Sequence, residues 1–573
     1  MSAAGSGAGS NLTAAQAIVT ALGRHGVTFM LGQSNPISLF LAAEELGIRQ
    51  IAYRTENAGT VMADGFARIS GRVPVVTAQN GPAATLLVPG LAEALCASVP
   101  IVALVQDVPR PRVDKNAFQE LDHIALFQGV TKWLRRVNDA SRIDDYIDMA
   151  FTAAATGRPG PAVLLLPWDL MDEPEAPGAR RRAELGGYPL DRTIADPGAI
   201  AEAARLLAGA RRPLAYAGGG VHLSQATAEL AQLQESASLA VATTSMGKGA
   251  VADGHPLSLG VIGYFMGPRS ATRYMRPLVD EADVILLVGN RTNQNGTDSW
   301  TLLPEGAQLI HLDVDGNEVG RNYEALRLVG DAKLTLAALT KQLKRAGLAK
   351  RKKARAPLEK RIAAAKQKYA CEAAGMLGAG GSPARPERLM AELDAVLRPH
   401  DIVVADASYS SVWVANYLHA QAAGQRFLSP RGMAGLGWGL PMALGAKLAS
   451  PEANVFCLAG DGGFAHVWSE LETSRRHGLK VILTVLNNGI LGYQRDAEDV
   501  LYKNHTTAVE LAPIDHAAVA RACGLNGVRI ERGEDYGAAL AAAIAAPETT
   551  LIDVITDPAA YPPITFYEQK IDH

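Results

Sequence analysis

Two stretches decide the fold: NVFCLAGDG at residues 454–462 and KVILTVLNN at residues 480–488. In each, an apolar run of strand length ends in small or polar residues. Gly460-Asp461-Gly462 follows Val455–Ala459, and Asn487-Asn488 follows Val481–Leu486. The 24 residues 463–486 between them match a turn, a helix and a returning parallel strand. Such a connection sets Asp461 and Asn488 side by side at the carboxyl edge of a sheet, where open α/β folds bind ligands. A carboxylate, an amide oxygen and a nearby backbone carbonyl suit a hard cation such as Mg²⁺, with diphosphate oxygens and water completing its shell. Gly460, Gly462 and Gly463 shape the turn, and the last two let backbone N–H groups approach phosphates at a helix start.

Working outward, apolar runs of the same kind alternate with Ala-rich helical segments along the chain. They include VPVVTA from Val73, VPIVALVQ from Val99, PAVLLLP from Pro161, RPLAYAGGG, ADVILLVGN, QLIHLDVD, DIVVAD and TTLIDVI. Continuous apolar strands are buried on both faces, which predicts α/β domains with parallel sheets covered by helices. Two composition breaks divide them. Met171 to Pro189 is Pro-rich and charged and reads as a linker. Residues 341–386 carry the basic run Lys350–Lys353 and end in a Gly- and Pro-dense loop, which predicts a charged, solvated helix followed by a loop. Three domains result, at 12–172, 190–345 and 385–560.

With 573 residues, a net charge of -3 and 48% hydrophobic residues, the chain has the core for several domains and lacks the basic field of a nucleic-acid or membrane-surface binder. The four cysteines, Cys96, Cys371, Cys457 and Cys523, lie too far apart in sequence for a CxxC pair and fit a reducing cytoplasm. No apolar run reaches the ~18 residues of a membrane span, and residues 1–11 are expected to be a disordered, uncharged start without signal-peptide character.

The GDG, two dozen residues, NN pattern resembles that of the thiamine-diphosphate-dependent enzymes. The resemblance implies metal ligation by Asp461, Asn488 and the carbonyl of Ile490. It also implies three doubly wound domains: pyrimidine-binding, Rossmann-like and diphosphate-binding. In this family the cofactor cleft forms between the first domain of one subunit and the last domain of another, so a homodimer or homotetramer with shared sites is expected. Arg54-Thr55-Glu56, followed by Met62–Arg68 and Gly71, is similar to the family's RHE…AxGYAR…G segment, with Thr55 in place of His. Glu56 is thereby matched to the acid that hydrogen-bonds the cofactor's aminopyrimidine. LSPRGMAGLGWGLPMALGAK from Leu428 resembles GGLGxMGFGLPAAIGA. Leu436, after Gly435, then falls where the family has the apolar wedge that bends the cofactor, with Met433 as the other option. Asp406–Trp413 matches the segment after the third domain's first strand, which makes Tyr409 and Ser410 candidate diphosphate contacts.

The resemblance is closest to the acetolactate-synthase-like branch, which also holds pyruvate oxidases and benzaldehyde-lyase-like carboligases. TAQNGP from Thr77, GLAEA from Gly90 and AFQELD from Ala117 look like its TSGPG, GLADA and AFQExD. The resemblance points the Gln119 amide toward the reacting centre, and Asn80, one residue before Gly81-Pro82, is a candidate for the same. Simple pyruvate decarboxylases carry an adjacent His pair near here, whereas this chain has the single His123. Without that proton donor, ligation to a second carbonyl is favoured over release of an aldehyde. The expected activity is decarboxylation of a short 2-oxo acid, pyruvate first, with transfer to an aldehyde or 2-oxo acid acceptor. A flavin-linked 2-oxo acid oxidase or an acyl-CoA lyase of the same fold is the alternative, and a non-catalytic nucleotide-binding module a distant one. The loop Leu31–Pro36 departs from the branch's GxPGG. The middle domain has Tyr264-Phe265-Met266 and Thr292-Asn293-Gln294 where flavin-binding members differ. FAD is therefore an option that these departures disfavour.

Overall fold

The computed structural model describes residues 12–174 and 181–570. The expected disordered start, and the middle of the expected Met171–Pro189 linker, lie outside the described residues. Each of the three expected segments holds one six-stranded sheet in which every strand pair is parallel. The first contains β1 (Phe29–Leu31), β2 (Arg49–Ile51), β3 (Val75–Ala78), β4 (Ile101–Asp107), β5 (Trp133–Arg136) and β6 (Pro161–Pro167), in the order 2-1-3-4-6-5. The second contains β7 (Pro213–Ala217), β8 (Ala240–Thr243), β9 (Ser258–Val261), β10 (Val284–Val288), β11 (Gln308–Asp313) and β12 (Leu326–Val329), in the order 12-11-10-7-8-9. The third contains β13 (Ile402–Ala405), β14 (Arg426–Leu428), β15 (Val455–Gly460), β16 (Ile482–Asn487), β17 (Asn526–Ile530) and β18 (Thr550–Ile555), in the order 14-13-15-16-18-17.

Renumbered from its own first strand, the third sheet has the same order as the first. The middle sheet has instead the order of dinucleotide-binding folds. In the third sheet the winding direction reverses between β13 and β15, which opens a crevice at their carboxyl ends.

The chain divides after Leu190 into two compact units, the second holding both the middle and the third sheet. Their packing explains Tyr264 and Phe265: both are buried in the apolar core of the third sheet, with Trp413, Phe427 and Ile564. Among the described residues no helix is long and apolar enough to cross a membrane.

The charged helix expected at the second break is solvated along much of its length, and its few buried positions are where the expectation needs correcting. A single helix, Ala349–Leu377, does form there, but Ile362 is buried in the apolar core beneath the middle sheet. Arg351, inside the basic run, is buried as well. Its guanidinium donates to the carbonyls of Arg211 (3.2 Å) and Ser238 (3.1 Å) and, more distantly, Ala210 (3.5 Å). Ala210 and Ser238 cap the C-termini of helices Pro197–Gly209 and Thr227–Ala237. A cation is favoured there because it meets carbonyls left without helical partners.

Candidate active site

A cleft of about 590 Å³ opens at the β13/β15 crevice. Asp461 and Gly462 at the end of β15, and Asn488 and Ile490 after β16, all line it. Asp461 is only 6% exposed, and its Oδ2 accepts the Gly489 N–H at 2.8 Å. Asn488 Oδ1 accepts the Ile490 N–H at 3.2 Å, which ties the amide to the residue whose carbonyl is the expected third ligand, and that carbonyl accepts the Gly492 N–H at 3.0 Å. Burial raises the Asp461 pKa to about 6, against backbone donors that lower it and a buried Asp553 that raises it further. The two asparagines divide the work. Asn487 donates to the Ile514 carbonyl (3.0 Å) and Asp553 Oδ1 (2.9 Å), and so frames the turn that presents Asn488.

The wall opposite is built on Asp406, which follows β13. Its buried carboxylate accepts the N–H groups of Ala407 (2.9 Å), Gly437 (3.0 Å), Trp438 (3.0 Å) and Gly439 (3.2 Å). Three of these donors, at Gly437, Trp438 and Gly439, fix the loop that carries Leu436, which lines the cleft and is 38% exposed. Met433, the other option for the wedge, is not among the cleft's lining residues. Gly435 is also off the cavity: a Cβ there would meet the Trp438 ring at 2.5 Å, so this glycine packs the loop rather than lining the site. Gly463 does line the cleft, and a Cβ on it would fall 2.2 Å from Asp406 Oδ2.

Tyr409 and Ser410 begin helix Tyr409–Tyr417 at the cleft's edge. The Tyr409 hydroxyl is already engaged with Asp496 and, at 3.0 Å, with Tyr567, so it offers the cleft its ring and backbone rather than its hydroxyl. Sequence reasoning passed over Asp406 as a structural acceptor, and Asn295 and Tyr493 as lining residues. Asn295 comes from the middle domain, and no spacing along the chain connects it to this edge.

In the first unit, Glu56 is the first residue of helix Glu56–Ser70, is 9% exposed, and has its pKa raised by burial. Thr55, where the family has His, caps that helix by accepting the Ala58 N–H at 3.3 Å. In the departing loop, Gln33 donates to the Arg54 carbonyl at 2.8 Å.

Asn80 corrects an expectation. Its Nδ2 donates to the carbonyls of Phe118 (3.2 Å) and Gln119 (3.1 Å), and its Oδ1 accepts from Gln106 Nε2 (2.9 Å). With its amide fully engaged, it does not point free toward a reacting centre. Gln119 lines a cavity of about 740 Å³ in this unit, and its Oε1 is buried without a partner. His123 is buried between Gly81 and Asp107: the Gly81 N–H donates to its Nε2 (3.0 Å), and its Nδ1 faces Asp107 Oδ1 (3.0 Å).

Family models match all three domains. Residues 12–126 match the N-terminal TPP binding domain of thiamine pyrophosphate enzymes, 200–339 their central domain, and 406–554 their C-terminal TPP binding domain. The chain is 33% identical over 558 residues to a probable acetolactate synthase large subunit of Methanocaldococcus jannaschii, covering 95% of this chain and 92% of that protein. The chain belongs to the thiamine-diphosphate-dependent enzymes. It is also 34% identical to an acetolactate synthase large subunit of Parasynechococcus marenigrum, over 95% of this chain and 87% of the relative. A third relative, acetolactate synthase 2, chloroplastic, of Nicotiana tabacum, is 31% identical over 94% of this chain and 81% of its own length. Within the family this is an acetolactate-synthase-like enzyme.

Proposed function

We propose that the enzyme decarboxylates pyruvate and joins the resulting two-carbon unit to an acceptor 2-oxo acid or aldehyde. The observation that carries this reading is the convergence of Asp461, Asn488 and Ile490 on one cleft edge. That donor set is all oxygen and includes one buried carboxylate, which would suit a hard cation such as Mg²⁺ held together with a diphosphate. Asp461, Asn488 and the Ile490 carbonyl would hold the ion. The backbone at Gly462, Gly463, Tyr409 and Ser410 would receive the diphosphate, and Leu436 would support the bent cofactor. Thiamine diphosphate, when bound, would supply a nucleophilic carbon for the ketone and a thiazolium ring to take up the electron pair left by carbon dioxide.

The chain's own residues supply the rest. Glu56, whose pKa burial raises, would exchange a proton with the aminopyrimidine ring. Gln119 offers its unpartnered amide oxygen's group to the acceptor. His123 has one ring nitrogen on Gly81 and the other on Asp107, which leaves neither to hand a proton to substrate and supports ligation over aldehyde release. We place the enzyme in a reducing cytoplasm, a setting that its four free cysteines fit. We also infer a homodimer or homotetramer in which Glu56 of one subunit serves the metal half of another. Mixing inactive Glu56→Gln and Asp461→Ala subunits tests this, because shared sites predict partial recovery of activity.

The reaction itself is tested by mass analysis of the products formed from pyruvate and a panel of 2-oxo acids with thiamine diphosphate and Mg²⁺. The expected product is acetolactate or its mixed homologues. Acetaldehyde as the sole product, or turnover that requires flavin or coenzyme A, would contradict the proposal.

A further inference from the structure

We propose that Asn80 and His123 are positioning residues that together lock Gln119 in a left-handed backbone conformation and so fix where its amide meets the acceptor. The proposal rests on the reading that Gln119 contacts the acceptor. Gln119 has φ +59, a region that a residue with a Cβ occupies only where its surroundings over-determine it. Two separate devices do so here.

The first is Asn80, just after β3. Its two amide hydrogens reach the consecutive carbonyls of Phe118 and Gln119, and Gln106 of β4 orients the amide by donating to its oxygen. An aspartate has no hydrogens for those carbonyls, and an alanine leaves both of them unanswered.

The second is His123. A backbone amide can only donate, so Nε2 accepts from Gly81 and the ring proton lies on Nδ1, where it is donated to Asp107. Asp107 is in turn held by Arg136 Nη2 at 2.5 Å and by the Val108 N–H at 2.9 Å. This chain pins Gly81, at φ +69, directly beneath Gln119: a Cβ on Gly81 would stand 2.7 Å from the Gln119 Cβ and 2.9 Å from its carbonyl oxygen. Both devices are rooted in adjacent residues at the carboxyl end of β4, Gln106 and Asp107, a central strand of the first sheet. Phe118 beside Gln119 is 84% exposed, so apolar burial of its own neighbour does not hold the loop. The polar clamp supplies the order that packing does not.

The test is steady-state kinetics of the holoenzyme with pyruvate as donor and 2-oxobutyrate as acceptor, recording acceptor KM, kcat and product partition. Asn80→Ala and Gln119→Ala should each raise the acceptor KM about tenfold with a smaller change in kcat, and the double variant should be no worse than the weaker single, within about twofold. His123→Gln, which keeps an acceptor near the place of Nε2, should stay within about twofold of wild type, whereas His123→Ala should resemble Gln119→Ala. This pair decides the matter if Asn80→Ala fails to fold. A wild-type acceptor KM in Asn80→Ala beside a damaged Gln119→Ala, or effects that multiply in the double variant, would overturn the clamp alone. A silent Gln119→Ala would overturn it through the assignment of Gln119 itself.

Discussion

The Oδ2 of Asp406 stands 2.2 Å from the point that a Cβ on Gly463 would occupy. The aspartate after β13 and the glycine two residues beyond Asp461 therefore form one packed turn, and the loop bearing Leu436 hangs from the same carboxylate. Gly463→Ala should displace the carboxylate, and Asp406→Asn should replace one acceptor oxygen with an amide that faces N–H groups. Hydrogen bonds to a charged acceptor are worth about 1.5–3 kcal/mol. Either substitution should weaken thiamine diphosphate binding at least tenfold by calorimetric titration, while far-ultraviolet circular dichroism stays that of wild type.

His222 makes stability depend on pH in a direction that can be worked out. It is buried, its Nε2 donates to the Lys248 carbonyl at 2.9 Å, and burial pushes its pKa down to about 3 from 6.5. Above pH 6.5 both folded and unfolded chains hold it neutral. As pH falls below 6.5 the unfolded chain gains a proton first, so stability is lost progressively down to about pH 3. At ~1.4 kcal/mol per pH unit within that window, lowering the pH from 7 to 5 should cost wild type about 2 kcal/mol more than His222→Gln, which keeps a donor but does not titrate. Urea denaturation of the two proteins at each pH measures the difference.

Arg351 and Lys353 lie in the same basic run with opposite burial. Arg351→Met should destabilise the protein by about 2 kcal/mol, because carbonyls at two helix C-termini lose a charged donor. Lys353→Ala, at an exposed position, should stay within about 0.5 kcal/mol of wild type. Denaturant midpoints read by tryptophan fluorescence separate the two.

These cases mark how far the sequence could be read. The ten strands legible as apolar runs are β3, β4, β6, β7, β10, β11, β13, β15, β16 and β18, all of which lie inside their sheets. Those that were not legible include all six sheet edges, β2, β5, β9, β12, β14 and β17. An edge strand has one neighbour and a wet side, so WLRR at Trp133–Arg136 and NGVRI at Asn526–Ile530 carry polar residues and lose the continuous pattern. The residues expected at the metal end were legible because one strand–helix–strand unit fixes their separation. Asn80 misled for the converse reason: its partners Gln106, Phe118 and Gln119 lie 26 to 39 residues away. Arg351 misled because charge in a helix says nothing of what the next layer offers it.

Glu56 carries the central claim, that this buried carboxyl activates the cofactor held by the Asp461 turn. Glu56→Gln keeps the side chain's size but cannot give and recover a carboxyl proton, while Asp461, Asn488 and Ile490 are untouched. Asp461→Ala is the contrast, since it should abolish Mg²⁺-dependent cofactor binding outright. The deciding measurement is hydrogen–deuterium exchange at C2 of bound thiamine diphosphate in wild type and Glu56→Gln, at saturating cofactor and Mg²⁺. Near-normal cofactor affinity with exchange slowed by ~10²–10⁴-fold is the predicted result, the usual contribution of a general acid–base group. Exchange at the wild-type rate in Glu56→Gln would contradict the account.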